Sequence, residues 1–142
     1  MSAGVAKGAY VLLDEPDPDL VLAATGSEVD LALQAARALA KSGTRARVVS
    51  MPSWELFAKQ PEEYRDSVLP LNIPTLAIEA GATLGWYKWV GRTGDIIGLD
   101  HFGASAPGEV VMEKLGFNVA NVIDRALQLL DRESTRPLAV LG

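Results

Sequence analysis

Cysteine is absent from the 142 residues and histidine occurs once. No disulfide framework and no thiol nucleophile can be built from this chain. The setting this implies is a reducing, cytoplasmic one. Basic clusters are missing as well. The 13 Lys and Arg are outnumbered by 18 Asp and Glu, the formal net charge is -5, and no Lys/Arg cluster provides a nucleic-acid footprint. No apolar run approaches the ~20 residues of a membrane span. Residues 1–7 lack the apolar centre of a secretion signal. Nucleic acid and membrane are therefore excluded as partners. No His, Asp and Glu set has metal-ligand spacing, and Glu15, Asp17 and Asp19 read as a solvated turn. The serines at 27, 50, 53 and 105 lack the setting of a nucleophile elbow.

What is present belongs to one folded domain. Hydrophobic residues make up 49% and charged residues 22%, both ordinary for a globular chain. Apolar runs alternate with helical patterns, which predicts an α/β fold with helices covering a mainly parallel sheet. Tyr10-Val11-Leu12-Leu13 is a short strand, and Leu20-Val21-Leu22-Ala23-Ala24 is a continuous apolar strand of the doubly buried kind. Thr25-Gly26 breaks it. Ser27 is a good N-cap, with Asp30 completing a near capping box, for a helix to about residue 41 that Gly43 ends. Its apolar stripe is Val29, Ala32, Ala36 and Leu39.

Strands are expected over 45–49, 75–78 and 95–97, and short helices over 54–59 and from Pro61 until Pro70. A helical turn is expected over 86–90, a helix over 107–115, and a last helix capped by Asn118. That helix is read with Val119, Val122, Ile123, Ala126, Leu127 and Leu130 on one side. The domain is placed at 8–132, with an extension over 1–7 and a weakly patterned tail over 133–142.

Candidate chemistry is sparse. Thr25, Gly26 and Ser27 form a strand, a glycine turn and a helix N-terminus, where backbone N–H groups hold anions in other folds. The stretch lacks the glycine pattern of a dinucleotide site and the lysine of a P-loop. Glu28 also puts a carboxylate where a phosphate would sit, so a simple capped helix start is the competing reading. His101 has no partner identifiable by spacing, and a packed or interface histidine competes with a general base. Glu79, at the carboxyl end of an apolar strand, is either a ligand contact or a structural group capping a helix or pairing with Lys88 or Arg92. Trp86, Tyr87 and Trp89 crowd four residues and cannot share one helix side, which points to a contact surface together with His101. Met51 and Met112 read as core.

Several long segments, in order, resemble the C-terminal domain of transketolase. They are Ala24-Thr25-Gly26-Ser27-Glu28-Val29, then Arg47-Val48-Val49-Ser50-Met51-Pro52-Ser53-Trp54-Glu55-Leu56-Phe57, with Gln60, Tyr64 and Ser67-Val68-Leu69-Pro70 following. Ala77-Ile78-Glu79-Ala80-Gly81, Gly85-Trp86, Lys88, Val90-Gly91, Phe102-Gly103-Ala104-Ser105-Ala106-Pro107 and Phe117-Asn118-Val119 complete the match, which covers roughly residues 8–130. His101 stands where that family often has Arg.

The resemblance implies a three-layer α/β/α domain whose mixed, mostly parallel five-stranded sheet carries its first strand antiparallel at the edge. It implies a parent enzyme that transfers a two-carbon ketol unit between sugar phosphates in the pentose phosphate pathway. Thiamine diphosphate and a divalent metal, Mg or Ca, would serve that enzyme from the two domains preceding this one, in the same or a companion chain, within a homodimer. None of the family's catalytic motifs falls on this sequence: Gly94-Asp95 is followed by Ile96, which breaks the Gly-Asp-Gly metal motif. The expected role is support of folding and dimer contact, as an excised domain or a piece of a split enzyme. A free-standing interaction module and a small-anion or nucleotide regulatory domain are the alternatives.

Overall fold

The computed structural model describes residues 7–26, 28–79, 94–98 and 117–134. The sheet is organised around β2 (Leu20–Ala24), in which all five residues are buried. It pairs in parallel with β3 (Ala46–Ser50) on one side and with β4 (Thr75–Glu79) on the other. β5 (Asp95–Gly98) continues the parallel set beyond β4. β1 (Tyr10–Leu13) runs antiparallel along β3 at the opposite edge. The order is β1-β3-β2-β4-β5. This is the mixed five-stranded sheet that the family resemblance implies, with the first strand antiparallel at its edge.

Strand side chains alternate between two faces, so a continuous apolar strand feeds two cores. Leu20, Leu22 and Ala24 join Val48, Leu76 and Ile78 on one face, beneath α1 (Glu28–Lys41) and α4 (Val119–Ser134). Val21 and Ala23 join Val49, Met51 and Ala77 on the other, beneath α2 (Trp54–Ala58) and α3 (Glu62–Val68), where Phe57 is fully buried. Burying each such Leu, Val or Phe contributes about 1.5–3 kcal/mol. Three layers follow because one helix pair cannot cover both faces.

The helix ends follow local chemistry. α1 closes through two bonds, Thr44 N–H to Leu39 O at 3.0 Å and Gly43 N–H to Ala40 O at 3.1 Å, with Gly43 at φ 91. Only glycine takes that left-handed conformation without steric cost. α4 opens with the Asn118 Oδ1 accepting from Asn121 N–H at 2.8 Å, as its sequence position predicts.

The differences from the sequence reading are local. Pro61 is the N-cap of α3 rather than its first helical residue. α3 ends at Val68, stopped by Pro70 as expected, because the residue ahead of a proline avoids the helical region. α4 continues to Ser134. On α4, Leu129 is fully buried and Leu127 is 45% exposed, the reverse of the expected stripe. At ~100° per residue, Leu127 points about 120° away from the Val122–Ala126 direction, whereas Leu129 lies within about 40° of it. The turn expected over 86–90 and the helix over 107–115 lie outside the described residues. So do Met112 and Ser27, the expected cap of α1; Asp30, its capping-box partner, accepts a bond from Gln34 Nε2 at 2.7 Å.

Candidate functional site

β2 and β3 are neighbours whose chains leave in opposite directions. β2 leads to α1 on one face of the sheet, and β3 leads to α2 and α3 on the other. Adjacent parallel strands that diverge in this way leave a crevice at their carboxyl ends. The structure has a cleft of about 400 Å³ there, lined by Thr25, Met51, Pro52, Ser53, Trp54 and Glu55.

Each wall is held by its own bonds. Met51 N–H donates to Ala24 O at 2.9 Å, so the two strands stay tied one residue beyond β3. Met51 is fully buried beneath the cleft, as the sequence predicts for a core methionine. Ser53 has extended backbone and its Oγ accepts from Leu56 N–H at 3.2 Å, capping α2. Its own N–H donates to Gly8 O at 3.0 Å. On the opposite wall, Gly26 turns the chain at φ 58, and Glu28 and Val29 donate to Thr25 O and Gly26 O at 3.3 and 3.2 Å.

Thr25 Oγ1 donates to Glu79 Oε1 at 2.8 Å, bridging the ends of β2 and β4. This brings together two residues that the sequence reading kept apart, and gives Glu79 a structural role beside a candidate anion-binding residue. The Thr25 hydroxyl proton is spent on a carboxylate, and Glu28 and Glu55 flank the same strand ends. Of the candidate residues, Thr25 lines this cleft and Gly26 follows it at the turn into α1; Ser27, Trp86, Tyr87, Trp89 and His101 lie outside the described residues, as do Lys88 and Arg92.

Among the described residues no group of three or more His, Asp or Glu side chains is disposed to hold a metal ion. Asp95, the acid of the broken Gly-Asp motif, is committed elsewhere. Its Oδ2 accepts from Arg125 Nε and Nη2 at 3.0 and 2.8 Å, and its Oδ1 from Ile96 N–H at 2.9 Å. These residues do not fit a metal-diphosphate centre.

One titrating group near the cleft has a clear shift: burial raises the Tyr64 phenol above its ordinary value. Its hydroxyl donates to Ala9 O at 2.7 Å, and its ring meets Phe57 edge to face at 6.2 Å. The cluster of Gly8, Ala9 and Tyr64 behind Ser53 was missed in the sequence as a unit; an isolated Gly8 ahead of an apolar strand was its one local signal.

The chain has extensive relatives. Residues 8–118 match the family described as the transketolase-like TK C-terminal domain. A transketolase of Halalkalibacterium halodurans is 53% identical over 132 residues, which are 92% of this chain and 20% of that protein. A solved transketolase from Leishmania mexicana superposes with a TM-score of 0.83 at 45% identity, covering 92% of this chain and 19% of that one. A Pichia stipitis transketolase solved in complex with sedoheptulose 7-phosphate gives 0.86 at 36% identity, covering 94% and 19%. The chain thus spans about a fifth of the length of the curated relatives it matches. With the matched family covering 8–118, relatives about 50% identical over most of the chain, and the five-stranded mixed sheet superposing on solved transketolases, this chain belongs to the transketolase family, as its C-terminal domain.

Proposed function

We propose that this chain serves a transketolase as a non-catalytic domain that supports folding and dimer contact. Ketol transfer between sugar phosphates would be carried by the thiamine-binding domains that precede it, in the same or a companion chain, in the cytoplasm. The observation that carries this reading is the close match to about a fifth of each relative; among the described residues no group of His, Asp and Glu side chains is disposed to hold a metal ion. When bound to those other domains, thiamine diphosphate and its divalent metal supply the carbanion chemistry. The residues here contribute a packed scaffold. Trp86, Tyr87, Trp89 and His101 are proposed as its contact surface, from the crowding of aromatics in sequence.

A second reading is favoured by the position of the cleft at the divergence of β2 and β3. It makes Thr25, Gly26 and Ser27 part of a regulatory site for a small anion or nucleotide. The Thr25–Glu79 bond and the nearby Glu28 and Glu55 weigh against it.

Calorimetric titration separates these readings. Thiamine diphosphate with Mg²⁺ is expected to give no heat above dilution; micromolar binding would overturn the non-catalytic assignment. Nucleotides and sugar phosphates are expected to give none either, and saturable heat that Thr25→Ala abolishes would establish the second reading.

A further inference from the structure

The chain reaches β1 through three residues that are pinned on every side. Lys7 is exposed, yet its Nζ stands 4.5 Å over the Tyr64 ring. Gly8 is buried; its carbonyl accepts the Ser53 N–H, and its φ is 88. A Cβ at Gly8 would collide with the Ser53 carbonyl oxygen and the Phe57 amide nitrogen, so backbone lies against backbone here. Ala9 is fully buried, and its carbonyl takes the Tyr64 hydroxyl at 2.7 Å. Tyr64 in turn is braced by Phe57. These contacts come from two different helices, α2 and α3, and from three different kinds of interaction.

Their place in the fold gives them a consequence. β1 is antiparallel, so Tyr10 pairs with Ser50 at the carboxyl end of β3. The chain therefore enters at the rim of the cleft. Ser53 belongs to both features: its side chain lines the cleft and caps α2, while its N–H holds Gly8.

We propose that residues 7–9, clamped by Ser53, Phe57 and Tyr64, are a rigid joint that sets the direction in which the chain approaches the domain and moves as one piece with the cleft rim. A flexible linker would leave that direction free. A joint of this kind lets an orientation change upstream of Lys7 reach the cleft through Ser53, and the reverse. The inference stands on this chain's own contacts and does not depend on the function proposed above.

The test is amide hydrogen exchange of the 142-residue chain, read residue by residue by NMR. The Ser53 amide reports the joint directly, because its bond goes to Gly8. In the unaltered chain it should be protected like the amides of β3. Tyr64→Phe should speed Ser53 exchange by about fivefold or more, the equivalent of one hydrogen bond, with the Ala126 and Leu129 amides of α4 unchanged. Lys7→Met, which keeps the side-chain stem, should give a smaller acceleration confined to the same amide. Ser53 exchange at an open-chain rate in the unaltered protein would overturn the proposal even if the variants fail to fold. So would an equal acceleration of Ser53 and α4 amides, which would reduce Tyr64 to a contributor to global stability, or no acceleration in either variant.

Discussion

Tyr64 shows how one side chain can be both packing and polar bond. Its ring fills the space beside Phe57, and its hydroxyl meets a backbone carbonyl that is buried with Ala9. Burial disfavours the phenolate, so the folded-state value lies above the ordinary one of about 10. The sign follows from linkage. Below about pH 10 the phenol is protonated in both states and its contribution is complete. Above that, the unfolded chain loses its proton first, and stability falls as pH rises towards the folded-state value. Denaturant midpoints measured across the alkaline range should therefore fall faster for the unaltered chain than for Tyr64→Phe. The gap between the two should narrow above about pH 10. A gap constant with pH would mean that the hydroxyl ionises equally in both states.

At the scale of elements, α4 is the informative case. Its sequence carries an apolar stripe, and the structure confirms Val122 and Ala126 as fully buried, with Val119, Ile123 and Leu130 packed against the same core. The error was at the edge of the stripe, where two leucines two positions apart compete and the period alone does not choose. Packing against α1 and β4 chooses Leu129. Leu129→Ala should therefore cost about 2–5 kcal/mol by leaving a cavity. Leu127→Ala should change the unfolding free energy by less than about 0.5 kcal/mol. The opposite order would show that the helix sits rotated from its described position. α4 is also tied to β5 by Arg125, whose guanidinium meets Asp95 at 2.8 Å and Ile96 O at 3.0 Å. Both partners are about 30% exposed, so this bond orients the helix more than it stabilises it.

At the scale of the molecule, the proposed contact surface makes a prediction about association. An exposed apolar aromatic patch drives self-association. Sedimentation of the unaltered chain at rising concentration should show reversible self-association, and Trp89→Ser or Trp86→Ser should weaken it. A strict monomer at every concentration would remove the contact-surface proposal. Exposed leucines elsewhere, such as Leu71 at 85%, offer a control: Leu71→Ser should leave association unchanged.

The sequence by itself determined the class of fold and most of its elements. Apolar runs at residues 20–24 and 76–78 mark strands buried on both faces, and helical spacing with Gly43 and Asn118 at the ends marks α1 and α4. These signals are local, and the backbone obeys them because capping and burial act within a few residues. The tertiary structure decided the rest. The cleft exists because β2 and β3 are neighbours that send their chains to opposite faces, a fact about strand order that no window of sequence contains. Thr25 and Glu79 meet across 54 positions, and Tyr64 and Ala9 across 55. Such pairs come from the register of paired strands and the docking of helices, which couple residues through space while leaving no periodicity along the chain.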